Sequence, residues 1–181
     1  ARDCGLFFEG RHGGQLPSVA IICIYIYVNI ICAGHTDRTR AMPRPPARTR
    51  ARSLACEMHA GFSALRSHCP MNIEAQLPEV GRKVWAEQSA VRDDVARIDA
   101  MWQEQLQVHG GPFLSGGFSA LDAYYAPVAA RIRTYGLPVS DVARRYIETL
   151  WASPGVAAWV ADALAEKDFL DFEEPYRSSA A

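Results

Sequence analysis

The sequence lacks most of the signatures that would identify a catalytic centre. Its five cysteines form no Cys-x-x-Cys pair and show no spacing typical of a zinc site. No metal-ligand cluster, phosphate-binding loop or hydrolase triad is recognisable. An odd number of cysteines without such spacing favours reduced thiols in a cytoplasmic protein over a disulfide framework. We therefore predict no metal site and interpret Cys56 and Cys69 as inert, buried thiols.

Charge is distributed unevenly along the chain. Residues 1–52 contain eight arginines and three acidic residues, a net charge of +5, whereas the remainder contains eleven basic and seventeen acidic residues, a net charge of −6. The two parts nearly cancel, so the net charge of the whole chain is −1. Such asymmetry indicates that the two parts have different origins or different partners.

An uncharged segment, SVAIICIYIYVNIIC, occupies residues 18–32. At about 15 residues it is shorter than the roughly 20 that a membrane-spanning helix requires. Its isoleucine, valine and tyrosine content suits a buried strand equally well. Six arginines follow it, so a membrane anchor with a positive flank and a secretory signal remain alternatives. We disfavour a membrane role.

The next segment, residues 35–52, is rich in arginine and proline. Prolines at positions 43, 45 and 46 exclude a helix that runs through them, so we predict a solvated linker. A segment that binds nucleic acid would interleave aromatic residues with the arginines, and this one has none. We therefore predict no nucleic-acid partner.

From Arg48 onward the periodicity of apolar residues predicts helices. A first helix has an apolar face of residues spaced by three or four and ends at Pro70; its members are Leu54, Met58, Phe62 and Leu65. Apolar residues then recur nearly every seven positions from Val84 to Leu106, which predicts one long helix over residues 78–110.

Three more helices are predicted by their start signals. One spans residues 119–135, and the others begin at Ser140 and at Ser153-Pro154, because serine is a good N-cap and proline suits the first helical position. No strand pattern follows residue 35. The sequence therefore predicts an all-α bundle of about five helices, preceded by an irregular N-terminal remnant.

The start of the third helix carries a capping box, Ser119-Ala120-Leu121-Asp122. We expect the Ser119 hydroxyl to accept from the backbone N–H of Asp122, and the Asp122 carboxylate to accept from the N–H of Ser119. Phe118 precedes the cap and can pack as a hydrophobic staple. Hydrogen bonds to the ionised carboxylate and the helix N-terminus predict a lowered pKa for Asp122.

The surrounding residues make this motif specific. GPFLSGGFSALDAYYAPVAARIRTYGLP resembles the capping-box helix in the second domain of glutathione S-transferases, although Leu121 stands where the family usually has alanine. ARSLACEMHAGFSALRSHCPMN is similar to the first helix of that domain in a bacterial branch close to the zeta class, which includes maleylacetoacetate isomerases. The resemblance covers residues 48 to about 176.

The resemblance implies a cytoplasmic, homodimeric, two-domain enzyme that adds glutathione to a small electrophile or isomerises a double bond through such an adduct. A thioredoxin-like first domain would bind glutathione and stabilise its thiolate. Here residues 48–181 correspond to the helical second domain, and residues 1–47 to a degenerate remnant with the linker. The hypothesis of a frameshifted or truncated gene would explain that remnant.

By resemblance, Ser18 corresponds to a serine that contacts the γ-glutamyl group, but Pro17 replaces the acidic residue expected before it. The turn that activates the glutathione thiol is absent, so we assign no catalytic residue and expect little or no turnover. Two alternatives remain: a non-enzymatic helical interaction module of the same fold, and a membrane-tethered helical domain.

Five residues are candidates for contact with substrate. By resemblance, His59 matches a histidine that faces the cleft, and Arg133 matches an arginine that binds acidic substrates. Phe62, Arg66 and Tyr125 could line the same pocket. The alternatives are a His59 hydrogen-bonded within the bundle, an Arg133 in a surface salt bridge, and core packing of the two aromatic residues.

Overall fold

The computed structural model describes residues 45–165 and 174–177, with side chains from residue 49 onward. Over these ranges the chain forms seven helices: α1 (Pro45–Ala60), α2 (Ser63–His68), α3 (Pro78–Glu87), α4 (Ser89–His109), α5 (Ala120–Tyr135), α6 (Asp141–Trp151) and α7 (Pro154–Ala165). These described residues include no strand, only isolated β-bridges within the turn at 113–117. The predicted all-α class is confirmed. Ser18 and the uncharged segment lie outside the described residues.

Two predicted boundaries at the first helix are wrong. Helix α1 begins at Pro45, before the predicted start at Arg48, within the segment expected to be a solvated linker. Pro45 and Pro46 fall in its first turn, where a missing N–H costs no helical hydrogen bond. The helix also stops at Ala60, because Phe62 adopts a left-handed conformation with φ of 56° and separates α1 from the short α2.

The predicted long helix over 78–110 is likewise two helices. Gln88 has extended φ and ψ values of −111° and 93°, so α3 ends before it and α4 starts after it. The Arg92 guanidinium donates to the carbonyl oxygens of Trp85 at 2.5 Å and Ala86 at 3.2 Å, which gives partners to carbonyl groups at the end of α3. The C-terminus of α4 at Gly110, with φ of 75°, is as predicted.

Helix α5 forms the centre of the bundle and is buried along most of its length. It packs against α1, α3 and α6. Trp102 of α4 meets the rings of Tyr125 and Tyr146 edge-on, with centroid separations of 5.8 and 5.0 Å. Among the helices of the described part of the chain, none has the length and apolar character that a membrane span requires.

Helix α3 approaches α5 so closely that one position must be glycine. A Cβ atom built on Gly81 would lie 1.7 Å from the carbonyl oxygen of Tyr135. The N–H of Leu77, just before α3, donates to the carbonyl oxygen of Thr134 at 2.7 Å. Backbone contact between the two helices therefore fixes α3 on the C-terminal end of α5.

Candidate functional site

The Asp122 carboxylate is the most highly connected polar group that the sequence analysis singled out. It is fully buried. Oδ2 accepts from the N–H of Ser119 and from the Ser119 hydroxyl, each at 2.8 Å, and the capping box is present as predicted. Oδ1 accepts from the N–H of Leu114 at 3.0 Å and from the Tyr146 hydroxyl at 3.1 Å. One carboxylate thus joins the turn before α5 to α6.

The prediction that the pKa of Asp122 is lowered is wrong. Burial raises the pKa of this carboxyl above its ordinary value, and the hydrogen bonds from Leu114, Ser119 and Tyr146 offset only part of that effect. Burial, reinforced by the neighbouring Asp122, also raises the pKa of Tyr146 well above its usual range. Both groups are buried and hydrogen-bonded to each other, which indicates a structural role.

Two other aspartates stabilise helix starts on elements distant in the sequence. Asp94 of α4 accepts from the N–H of Leu65 in the first turn of α2 at 2.9 Å. Asp99, one turn further along α4, accepts from the N–H of Ser140 at 2.9 Å and from its hydroxyl at 2.6 Å. Ser140 in turn caps α6 by accepting from the N–H of Ala143 at 3.2 Å. Sequence reasoning missed both aspartates, because their partners lie 29 and 41 residues away.

Arg66, a predicted pocket residue, is engaged with the backbone of its own neighbourhood. Its guanidinium donates to the carbonyl oxygens of His59 at 2.9 Å and Met58 at 3.5 Å, and also to that of Gly61. These are the carbonyl groups that the end of α1 leaves without helical partners. The contacts favour a structural role for Arg66 at the kink between α1 and α2.

The two aromatic candidates are buried. Tyr125 is fully buried, and its hydroxyl donates to the carbonyl oxygen of Leu54 at 3.1 Å. Phe62 belongs to the same hydrophobic core through the turn between α1 and α2. In the described part of the chain both residues fit the alternative of core packing better than that of a pocket wall.

His59 and Arg133 are the two candidates whose side chains are exposed. The Arg133 guanidinium lies 4.7 Å from the centre of the Trp151 ring, a cation–π contact rather than the surface salt bridge considered above. A groove of about 290 Å³ runs beside Arg133, between the end of α5 and α6. None of the other four predicted residues lines that groove.

The two cysteines in the described region differ from each other. Cys56 is exposed on α1, so the prediction that it is buried is wrong. Cys69 is fully buried, and burial raises the pKa of its thiol to about 12, against a smaller opposing effect of the Arg131 charge. A neutral, buried thiol is a poor nucleophile, which supports the prediction that Cys69 is inert. No group of three potential metal ligands occurs among the residues for which the structure gives positions.

The described residues form an all-helical domain of seven helices, arranged around a central α5 that Ser119 and the buried Asp122 fix at its start. The family model of the glutathione S-transferase C-terminal domain matches residues 57–162, which is more than half of the chain. The chain therefore belongs to the glutathione S-transferase family. A comparison with curated proteins finds no match.

Proposed function

We propose that this chain is a glutathione transferase-like protein whose helical domain forms the electrophile side of a glutathione site and whose own turnover is low or absent. The observation that carries this proposal is the family match over residues 57–162, together with the capping box at the start of α5. By this proposal the chain binds glutathione as co-substrate, forms a homodimer and acts in the cytoplasm. The zeta-like branch is the one whose motifs the sequence resembles.

The exposed pair His59 and Arg133 carries the substrate part of the proposal. A guanidinium held over an aromatic ring, as Arg133 is over Trp151, keeps its charge available for a carboxylate in bidentate geometry. An imidazole at the surface of α1 can donate to or accept from a ligand. We infer that the electrophile is a small acidic molecule, with Ser18 contacting the γ-glutamyl group of glutathione.

Retention on immobilised glutathione tests the glutathione part. We expect the full chain to be retained and then eluted by free glutathione, with weaker retention for Ser18→Ala and unchanged retention for Ser89→Ala, an exposed serine at the start of α4. Conjugation of chlorodinitrobenzene should be close to the uncatalysed rate, against an active transferase measured in parallel. Full-length chain that passes through the column unretained would refute glutathione binding.

The second candidate is a non-enzymatic helical interaction module. It is favoured because three of the five candidate residues make contacts within the fold rather than lining a pocket. These residues are Phe62, Arg66 and Tyr125. Sedimentation of the full chain separates the two candidates when combined with the column. A stable self-associated species with no retention on glutathione favours the module, and retention with specific elution favours the transferase-like protein.

A further inference from the structure

The connection between α2 and α3, residues 69–77, contains no helix and is held from one side by α5. Three side chains of α5 donate to its carbonyl groups. The Arg131 guanidinium donates to the carbonyl oxygen of Cys69 at 3.0 Å. The Thr134 hydroxyl donates to that of Asn72 at 2.5 Å, and the Tyr135 hydroxyl to that of Pro70 at 3.0 Å. These bonds satisfy backbone groups that a helix would otherwise pair internally.

Residues 174–177 also bond to this connection. The Asn72 amide donates to Glu174 at 2.7 Å. The Arg177 guanidinium pairs with Glu74 at 2.8 Å. The Tyr176 hydroxyl donates to the carbonyl oxygen of His68, the last residue of α2, at 2.9 Å. Three of the four residues of this segment therefore bond to the connection or to the helix before it.

The ionic part of this contact is more sheltered than an ordinary surface pair. Arg177 has a side-chain exposure of 12%, and it pairs with Glu174 at 3.0 Å as well as with Glu74. Charge-assisted hydrogen bonds with limited water access are stronger than exposed ones. The Tyr176 ring also meets the Tyr135 ring edge-on, with centroids 6.0 Å apart, so the segment covers part of α5.

We propose that residues 174–177 form a C-terminal latch, which opens and closes over the connection 69–77 independently of the helical bundle. The bonds between the latch and the connection are made by side chains, and its partners lie about a hundred positions away in sequence. Opening therefore breaks no helical hydrogen bond of α4 or α6. It does free the end of α2 and uncover Tyr135 and Cys69, which are buried when the latch is closed.

Hydrogen exchange followed by mass spectrometry on the full chain tests the latch. Arg177→Ala should raise exchange of the amides in residues 69–77 about tenfold, because the latch then loses its ionic contacts. Tyr176→Phe keeps the ring contact and loses one hydrogen bond, so its effect should be smaller, about threefold. Arg82→Ala, which removes an exposed pair with Glu79 elsewhere, is the matched control and should change nothing in 69–77.

Salt and thiol chemistry supply a second readout. In the unsubstituted chain, high salt should speed both hydrogen exchange in residues 69–77 and alkylation of Cys69. In the Arg177→Ala chain both reactions should already be fast at low salt, and added salt should change their rates little. Equal acceleration in α4 and in 69–77 would overturn the proposal, because the segment would then contribute to global stability alone. Unchanged exchange in 69–77 for Arg177→Ala would overturn it too.

Discussion

Replacement of Asp122 by alanine removes the acceptor for four donors at once. The N–H groups of Leu114 and Ser119 and the hydroxyls of Ser119 and Tyr146 all point at this carboxylate at 2.8 to 3.1 Å. The hydroxyls can rotate toward other acceptors, but the two N–H groups are fixed by the backbone. We therefore expect two orphaned donors and an uncapped helix in the variant.

The magnitude follows from those losses. Each buried, unsatisfied N–H costs about 1–3 kcal/mol, and loss of the cap costs about 1 kcal/mol more. Release of a buried charge gives back part of this, so we expect a net destabilisation of about 4 kcal/mol. For a chain of this length that lowers the melting temperature by roughly 8–16 °C. Asp122→Asn should lower the free energy of unfolding by about half as much as Asp122→Ala. Its amide oxygen still accepts hydrogen bonds, but its NH2 group faces one of the two fixed N–H donors.

Urea unfolding followed by far-ultraviolet circular dichroism measures these differences near neutral pH. The matched control is Asp93→Ala, an exposed aspartate on α4 that should change the free energy of unfolding by less than about 0.5 kcal/mol. An Asp122→Ala chain as stable as the control would refute the reasoning. It would mean that the turn before α5 rearranges to satisfy its own backbone.

Three further predictions follow from individual groups. Burial raises the pKa of Asp122 above its value in the unfolded chain. The contribution of this group to the free energy of unfolding is therefore greatest at acid pH and falls as the pH rises through the raised pKa. The stability of the unsubstituted chain relative to Asp122→Asn should fall from about pH 4 to pH 7, and a rise would contradict this. Iodoacetamide should modify Cys56 in the folded chain much faster than Cys69, which it reaches only when the latch opens or the chain unfolds, as peptide mass spectrometry would show; equal labelling rates for both would be inconsistent with the buried thiol. Gly81→Ala should destabilise the chain by about 3 kcal/mol in urea unfolding, because its Cβ would collide with the Tyr135 carbonyl, and a neutral effect would mean that α3 can move away from α5.

The features that sequence predicted correctly are local ones. The capping box pairs residues three positions apart, and the Ser140 cap bonds to Ala143 three positions on. Both follow from residue type and spacing alone. The breaks at Phe62 and Gln88 were missed because the apolar periodicity of the flanking helices continues through each break. Apolar periodicity indicates which residues are buried, but it does not indicate where a helix is interrupted.

The candidate site was less predictable than the fold. The role of Arg66 depends on the carbonyl groups that become available where α1 ends, and that end was itself not predicted. The burial of Tyr125 depends on its contacts with Leu54 and Trp102, 71 and 23 positions away. Side-chain function in this domain is therefore decided by tertiary contacts, which residue type and spacing do not specify.

The charged residues at the helix ends bear on where a ligand can bind. Three aspartates accept from N–H groups at or next to helix starts: Asp94 at α2, Asp99 at α6 and Asp122 at α5. Two arginines donate to carbonyl groups at helix ends: Arg66 at α1 and Arg92 at α3. These side chains have the chemistry of catalytic groups, but their hydrogen-bonding capacity is used within the fold. His59 and Arg133 remain the exposed members of the predicted site, and the groove beside Arg133 is open to solvent. A site built on them requires a second surface to enclose the ligand, which in the proposed function is the glutathione-binding side.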